Sequence, residues 1–298
     1  SDNVISFEIV TPDGTLRKAN ADENPDLYWG LRGGGGNFGV VTQLEYQLHP
    51  VGMMYGGMIL YPFDNAKDFF KGYRDFLPSC PDELTTFAGL FTLPDGTTVA
   101  GGICAYNGDH AAANKLMDET FRKFTTPMAD MLGPIPYCKL QQLIDEQTAP
   151  HRRYYVKSNL MKTIPDEVID IVVEGYSKVP SPLTMLAFQQ FGNAIGRFPK
   201  DATAFGHREA ILEQVMFSCW TDPADDDVNK QWARELSDLS SPFAHGHYVN
   251  QTGLESEEGA DRVQAAYGDN WDKLAALKAK YDPMNLFRHN QNIKPAAG

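Results

Sequence analysis

The stretch of this chain best suited to holding a ligand is Gly33-Gly34-Gly35-Gly36-Asn37-Phe38-Gly39-Val40-Val41. Consecutive glycines lose more backbone entropy on folding than other residues, so ordering four of them calls for backbone closed to other residue types, or for a group pressed against bare main chain. Outward-facing N–H groups in such a bend make a cradle for an anion or a cofactor. No Gly-Lys-Ser/Thr follows, and the loop does not open a helix, so it is neither a phosphate loop nor a dinucleotide fingerprint. A tight glycine turn packed beneath a helix is the alternative. The other chemistry-bearing residues are dispersed. Cys80, Cys104, Cys138 and Cys219 form no C-x-x-C pair; this argues against a zinc ribbon or redox dithiol and suits small core residues in a reducing, cytoplasmic setting. His207, His245 and His247 show no H-x-x-x-H spacing and no carboxylate partner, so no metal site is expected.

Local pattern supplies the elements that must position these residues. Val40-Val41-Thr42 opens a strand that would hold the glycine loop at a sheet edge. Phe7 and Ile9 alternate with Glu8 ahead of Thr11-Pro12-Asp13-Gly14, and Pro94-Asp95-Gly96 separates two further extended runs. Both patterns predict hairpins with glycine at the left-handed position. Residues 183–192 and 208–220 read as strands. In the second, Val215, Phe217 and Cys219 share one face and Gln214, Met216 and Ser218 the other, which turns Gln214 toward a site. Helical spacing runs through Phe69, Phe70, Tyr73 and Phe76, then Val168, Ile171, Val172 and Tyr176. It returns at Trp271, Leu274, Leu277 and Tyr281, with Asp269 as cap and Pro283 as stop. Asp225-Asp226-Asp227 and Glu255-Ser256-Glu257-Glu258 read as solvated helix starts and loops. Helices follow hairpins rather than alternating with single strands, so the expected fold class is α+β, an antiparallel β-sheet backed by helices.

At 298 residues the chain is long enough for about two domains. A net charge of −13 repels phosphate backbones and anionic lipid, which disfavours nucleic-acid and membrane partners and leaves a small molecule. A hydrophobic content of 42% with 11% aromatics excludes a disordered chain. No apolar run approaches the length of a membrane span and no signal-peptide pattern is present. Ser1 leads straight into a strand pattern with no initiator Met, so an upstream segment is expected to be missing.

The stretch Asp26-Leu27-Tyr28-Trp29-Gly30-Leu31-Arg32 followed by the glycine loop and Thr42 resembles the final FAD-contacting segment of FAD-linked oxidases of the berberine bridge enzyme type, which have the vanillyl-alcohol oxidase-type flavin fold. Tyr267-Gly268-Asp269-Asn270-Trp271 and Tyr281-Asp282-Pro283-Met284-Asn285-Leu286-Phe287-Arg288-His289-Asn290-Gln291-Asn292-Ile293 resemble that family's C-terminal signature. The resemblance implies that residues 1–50 end an FAD-binding domain, 51–255 form a substrate-binding domain, and 256–298 return to the FAD domain. It implies FAD as cofactor, contacted by Gly33, Gly34, Gly35, Gly36, Asn37, Phe38, Gly39, Val40, Val41, Asn250 and Asn292. The first FAD subdomain, with the His and Cys that often tether the flavin covalently, would lie upstream of Ser1.

In that family a hydride passes to the flavin while a base takes the substrate's hydroxyl proton, and the base is often the last Tyr of a Tyr-x-Asn-Tyr strand. Here Tyr248-Val249-Asn250-Gln251 matches, so Gln251, which cannot be a base, stands at that position, and Tyr248 would line the pocket. Glu213 and Gln214 match a strand over the flavin, and Glu213 is the carboxylate there able to take a proton. Phe205-Gly206-His207-Arg208 resembles a Phe-x-His-Arg segment placed at the entrance or as a strand anchor.

Two functions follow. One is an FAD-dependent oxidoreductase acting on an alcohol, sugar or related small molecule, with O2 as acceptor. The other is a non-catalytic remnant that binds a small ligand or a partner chain. Without its first subdomain the chain is expected to bind FAD weakly. It would also expose Phe7, Ile9, Trp29 and the stripe of the last helix, favouring a homodimer or looser association.

Overall fold

The computed structural model describes residues 1–251 and 260–296. In chain order these form β1 (Val4–Val10), β2 (Leu16–Ala19), α1 (Pro25–Leu31), β3 (Val40–Tyr46), β4 (Met53–Pro62), α2 (Ala66–Phe76), β5 (Leu84–Thr92), β6 (Thr98–Tyr106), α3 (His110–Glu119) and α4 (Phe121–Phe124). Next come β7 (Ala129–Asp130), β8 (Gly133–Pro136), α5 (Tyr137–Leu140), β9 (Arg153–Met161), α6 (Asp166–Tyr176), β10 (Met185–Gln190), β11 (Leu212–Trp220), α7 (Asp226–Ser240), α8 (Ala260–Tyr267) and α9 (Trp271–Tyr281). Two compact units result. The first holds residues 1–50, 194–209 and the described residues from Gly246 onward; the second holds 51–193 and 210–245.

In the first unit an antiparallel sheet runs in the order β2-β1-β3. The β1–β2 hairpin turns as its sequence predicts: Gly14 takes φ +75°, and the Asp13 carboxylate accepts bonds from the Thr11 hydroxyl and the Thr15 amide. Phe7 and Ile9 are not exposed. They lie in a core with Leu27, Trp29, Phe38, Leu274, Leu277 and Ile293, because α1, the stripe of α9 and the tail close over β1. The apolar surface lies instead along the edge strand β3, where Val40, Val41, Leu44 and Tyr46 are exposed.

Residues 194–209 also differ from expectation, since they pack in this unit rather than within a continuous 51–255 domain. Buried donors need acceptors, and these residues supply them. Trp29 Nε1 donates to the Asp201 carbonyl, and the Asn270 amide donates to the carbonyls of Thr203 and Ala204. Asp269 does not cap α9; it lies in the 3-10 turn Gly268–Asn270, and Asn270 precedes the helix without a side-chain cap bond.

The second unit is an eight-stranded sheet in the order β7-β4-β6-β5-β10-β11-β9, with β8 beside β4. Its paired strands are antiparallel. The predicted helical stripes fall where packing requires them: α2 buries Phe69, Phe70, Tyr73 and Phe76, and α6 buries Val168, Ile169, Val172 and Tyr176. Gly96 takes φ +87° in the β5–β6 turn. Cys80, Cys104 and Cys219 are buried as expected, but Cys138 on α5 is exposed. In the Asp225–Asp227 cluster, Asp226 bonds Arg153 and the Trp220 indole N–H rather than standing solvated. The Glu255–Glu258 cluster lies outside the described residues. Among the described residues no helix is long and apolar enough to cross a membrane.

Gly39 shows why the loop sequence is glycine-rich. At φ +156° an added Cβ would sit 2.3 Å from the Val10 carbonyl oxygen, which is backbone and cannot yield. Gly39→Ala should therefore cost about 2–4 kcal/mol from combined strain and overlap. Gly14→Ala, where a Cβ meets nothing within 4 Å, should cost only about 1–2 kcal/mol for the left-handed backbone. Urea denaturation of the two variants checks the order, and equal losses would contradict this account.

Candidate functional site

Within the first unit the glycine loop divides by role. A Cβ on Gly33 would lie 2.3 Å from the Phe205 nitrogen, and one on Gly34 would lie 2.6 Å from the Gly30 carbonyl oxygen, so both serve the protein's own close packing. Gly35, at φ +64°, has nothing within 4 Å of that position, and Gly36 meets only the Asn290 amide at 3.3 Å. Bare, exposed main chain is thus offered at Gly35 and Gly36. Phe38 is buried in the core, and the Asn37 side chain also points inward. Asn37 Nδ2 donates to the carbonyls of Gly34 (2.8 Å) and Gln291 (3.2 Å), while its Oδ1 accepts from the Ile293 amide at 2.9 Å. One side chain therefore stitches the loop to the C-terminal tail. Beside it, the buried side-chain oxygens of Asn290 and Asn292 have no hydrogen-bond partner among the described residues. Orphaned acceptors next to bare main chain fit a bound group that carries its own N–H or O–H donors.

The tail is held by a pairing of two residues of the C-terminal segment that the resemblance does not itself imply. Lys278 and Asp282 are both fully buried, with Nζ 2.6 Å from a carboxylate oxygen. Lys278 also donates to the carbonyls of Asn37 (2.7 Å) and Phe287 (2.8 Å), and Asp282 accepts from the amides of Leu286 and Phe287. Burial alone would raise the Asp282 carboxyl, but Lys278 and the two amides outweigh it and hold the carboxyl below its ordinary value. The signal present in the sequence was an i,i+4 Lys/Asp spacing at the end of a helix.

Tyr248, Asn250 and Gln251 are not on a strand. Val249–Gln251 is a 3-10 turn, closed by the Gln251 amide on the Tyr248 carbonyl, and Asn250 Nδ2 donates to the Tyr248 hydroxyl at 2.8 Å. His207 donates from Nε2 to the Ala266 carbonyl at 2.9 Å, at the end of α8. Arg208 is buried and forks onto Asp2 at 2.7 and 2.8 Å, with a third bond to the Thr203 hydroxyl. The His207-Arg208 pair thus anchors the first unit's own loops.

In the second unit Glu213 and Gln214 have opposite fates. The structure reverses the faces expected for β11. Gln214 lies beneath α7, where Nε2 donates to the Ser240 hydroxyl and Oε1 accepts from Asn159. Asn159 in turn donates to the Ser237 carbonyl. Glu213 points the other way, on an interior strand between β9 and β10, so it is no solvated edge residue. It is 0% exposed, and among the described residues neither carboxylate oxygen has a hydrogen-bond partner of good geometry. Burial pushes its carboxyl up to about 7, and Ser158 draws it back only in part. Gln189, directly across from it on β10, is half-buried and was not anticipated.

The fold is shared with solved structures of other proteins. A BBE-like protein of Arabidopsis thaliana superimposes with a TM-score of 0.86 over 99% of this chain and 68% of that structure, at 19% identity, a likeness of fold. Residues 247–294 match the family described as berberine and berberine like. An FAD-linked oxidoreductase of Dictyostelium discoideum is 30% identical over 300 residues, and a chitooligosaccharide oxidase of Gibberella zeae is 29% identical over 320. Each match takes in 99% of this chain, which spans 64% of the length of either relative. The chain is thus similar to FAD-linked oxidoreductases, and over residues 247–294 to the berberine and berberine like family.

Lys278→Met would leave Asp282 buried and unpaired, so we expect a loss of about 3–5 kcal/mol, with Lys278→Met/Asp282→Asn losing less. The pH dependence should also invert. With a depressed carboxyl, wild type keeps this stabilisation above about pH 4 and loses it as pH falls through the folded value. With an unpaired carboxyl, the variant should gain on the same descent. Urea melts from pH 3 to 7 read both effects, and parallel curves would contradict the assignment.

Proposed function

We propose that the protein is an FAD-dependent oxidoreductase that oxidises an alcohol, sugar or related small molecule, with Glu213 as proton acceptor and dioxygen as electron acceptor. The carrying observation is Glu213 itself. A fully buried carboxylate without an ion pair, its carboxyl near neutrality, is poised to take a proton at physiological pH. The names of the relatives, FAD-linked oxidoreductase and chitooligosaccharide oxidase, support the reaction class.

The substrate's hydroxyl proton goes to a Glu213 oxygen as the carbinol hydrogen leaves with its electron pair and the C–O bond becomes a carbonyl. FAD, when bound, would supply the hydride acceptor, with dioxygen as final electron acceptor and the proton released from Glu213 completing hydrogen peroxide. Main chain from Gly33 through Val41 would hold the cofactor, chiefly at Gly35 and Gly36, with the Asn250, Asn290 and Asn292 amides beside it. The Asn37 and Phe38 side chains shape the loop from inside. Gln214 is a positioning residue that locks β11 onto α7. Gln251 has no titratable proton and is assigned hydrogen bonding alone, and Tyr248 a flanking role.

A base must be ionised, so kcat should rise with pH through about 7. Glu213→Gln should lower kcat by about 10²–10⁴-fold, flatten that limb and leave KM little changed. Stability gives an independent check. The folded carboxyl is raised above its unfolded value, so ionising it costs the fold about 3 kcal/mol as pH climbs from about 4 to 7. Glu213→Gln should escape that cost and be the more stable protein above pH 7. A colourless protein whose variant shows neither effect would favour the non-catalytic, ligand- or partner-binding alternative.

A further inference from the structure

Residues directly opposite one another in an antiparallel sheet project to the same face. Across the second unit's sheet, Glu213 faces Leu160 on one side and Gln189 on the other; beyond Gln189 the row continues through Phe87, Ile103 and Met58. The opposite face is the one covered by helices, as Gln214 on Ser240 and Phe188 on Phe70 show. Exposure rises along the row. Leu160 and Glu213 are fully buried, while Gln189, Phe87, Ile103 and Met58 are half-buried. One pleat along, the same face carries Ser158, Val215, Ala187 and Gly89. Within these two rows, Gln189 and Ser158 are the residues besides Glu213 whose side chains can hydrogen-bond.

We infer that the substrate of this face is a flat, mostly apolar alcohol, a fused aromatic ring system bearing one hydroxyl, rather than an oligosaccharide. The inference rests on Glu213 being the proton acceptor. Given that, the hydroxyl sits at the closed end of the row, between Glu213 and the Gln189 amide, and the rest of the molecule runs outward over Phe87 and Ile103. Neighbouring strands are about 4.8 Å apart, so Glu213 to Phe87 spans about 10 Å, the length of a small fused-ring system. Phe87 gives such a ring an aromatic contact. A sugar residue in the same place would press several hydroxyls against Phe87, Ile103 and Met58, each giving up water without a partner. A site built to hold a sugar needs side-chain donors and acceptors along the row, and past Gln189 the row itself carries none; the nearest on this face of β5 is the exposed Thr85 hydroxyl, two residues from Phe87.

Calorimetric titration of the protein in saturating FAD with naphthylmethanol and with chitobiose tests this. We expect naphthylmethanol to bind at least about tenfold more tightly, and Phe87→Asn to weaken it by about tenfold. Ile103→Thr, which keeps a β-branched residue in the strand, should weaken it severalfold and guards against misfolding of the first variant. Chitobiose binding as tightly, or naphthylmethanol binding unmoved in both variants, would overturn the inference. Anaerobic bleaching of the flavin, read in parallel, separates the two claims. Bleaching by chitobiose alone removes the apolar preference and keeps the oxidoreductase; tight naphthylmethanol binding without bleaching keeps the preference and removes the oxidoreductase.

Discussion

The first unit is organised around one ammonium group. Lys278 donates to the glycine loop at Asn37, to its own helix end at Asp282, and to the tail at Phe287. Burying a charge pair costs several kcal/mol per ion in lost hydration, and the cost is recovered only where the remaining hydrogen-bonding capacity is filled. Here it is filled. Every bond is either charge-assisted or made to main chain, and the Asp282 carboxylate accepts two amides besides the lysine. Because those bonds end on three separate segments, the loop's course is set by residues some 240 positions later in the chain. The exposed Gly35-Gly36 main chain lies between fixed positions: Gly33, Gly34 and Gly39 are pinned by backbone they nearly touch, and Asn37 and Phe38 are buried.

Features decided within a few residues were legible in the sequence. Both hairpins were, since Gly14 and Gly96 meet a local demand for left-handed backbone. So were the stripes of α2 and α6, whose periodicity is their burial pattern. Alternation along β11 also identified two faces, but it could not say which one is covered. Gln214 and Ser218 look like a solvent-facing edge; α7 covers them because Ser240 and the Asn229 carbonyl, with Asn159 from β9, satisfy their polar atoms. A polar face with matched partners packs as well as an apolar one, and its partners lie far away in the chain.

The same reasoning explains what was missed in the first unit. A Lys and an Asp four apart at a helix end read as an exposed pair, and only the returning tail buries them. Residues 194–209 carry no periodicity. Side chains such as Trp29 and Arg208 hold them, and the Trp29 partner is 172 positions distant. Phe7 and Ile9 were expected at a surface left by the first FAD subdomain, whereas α1, α9 and the tail cover them. The family motifs marked out segments without revealing which atoms in them are internally satisfied.

Glu213 and Asp282 are two buried carboxylates treated in opposite ways, and the contrast carries the functional argument. Both lose hydration. Asp282 is given a lysine and two amides, and its carboxyl falls; Glu213 is given a nearby neutral serine, and its carboxyl rises. A carboxylate kept for structure is expected to look like Asp282, since an uncompensated charge weakens the fold with no return in stability. Its backbone offers no relief either, because β11 is hydrogen-bonded on both sides, to β9 and to β10, through Glu213 itself. A side chain that costs the fold stability while remaining fixed in place has the properties of a functional group held ready, and strain of that sort concentrates where a reaction or a ligand makes use of it.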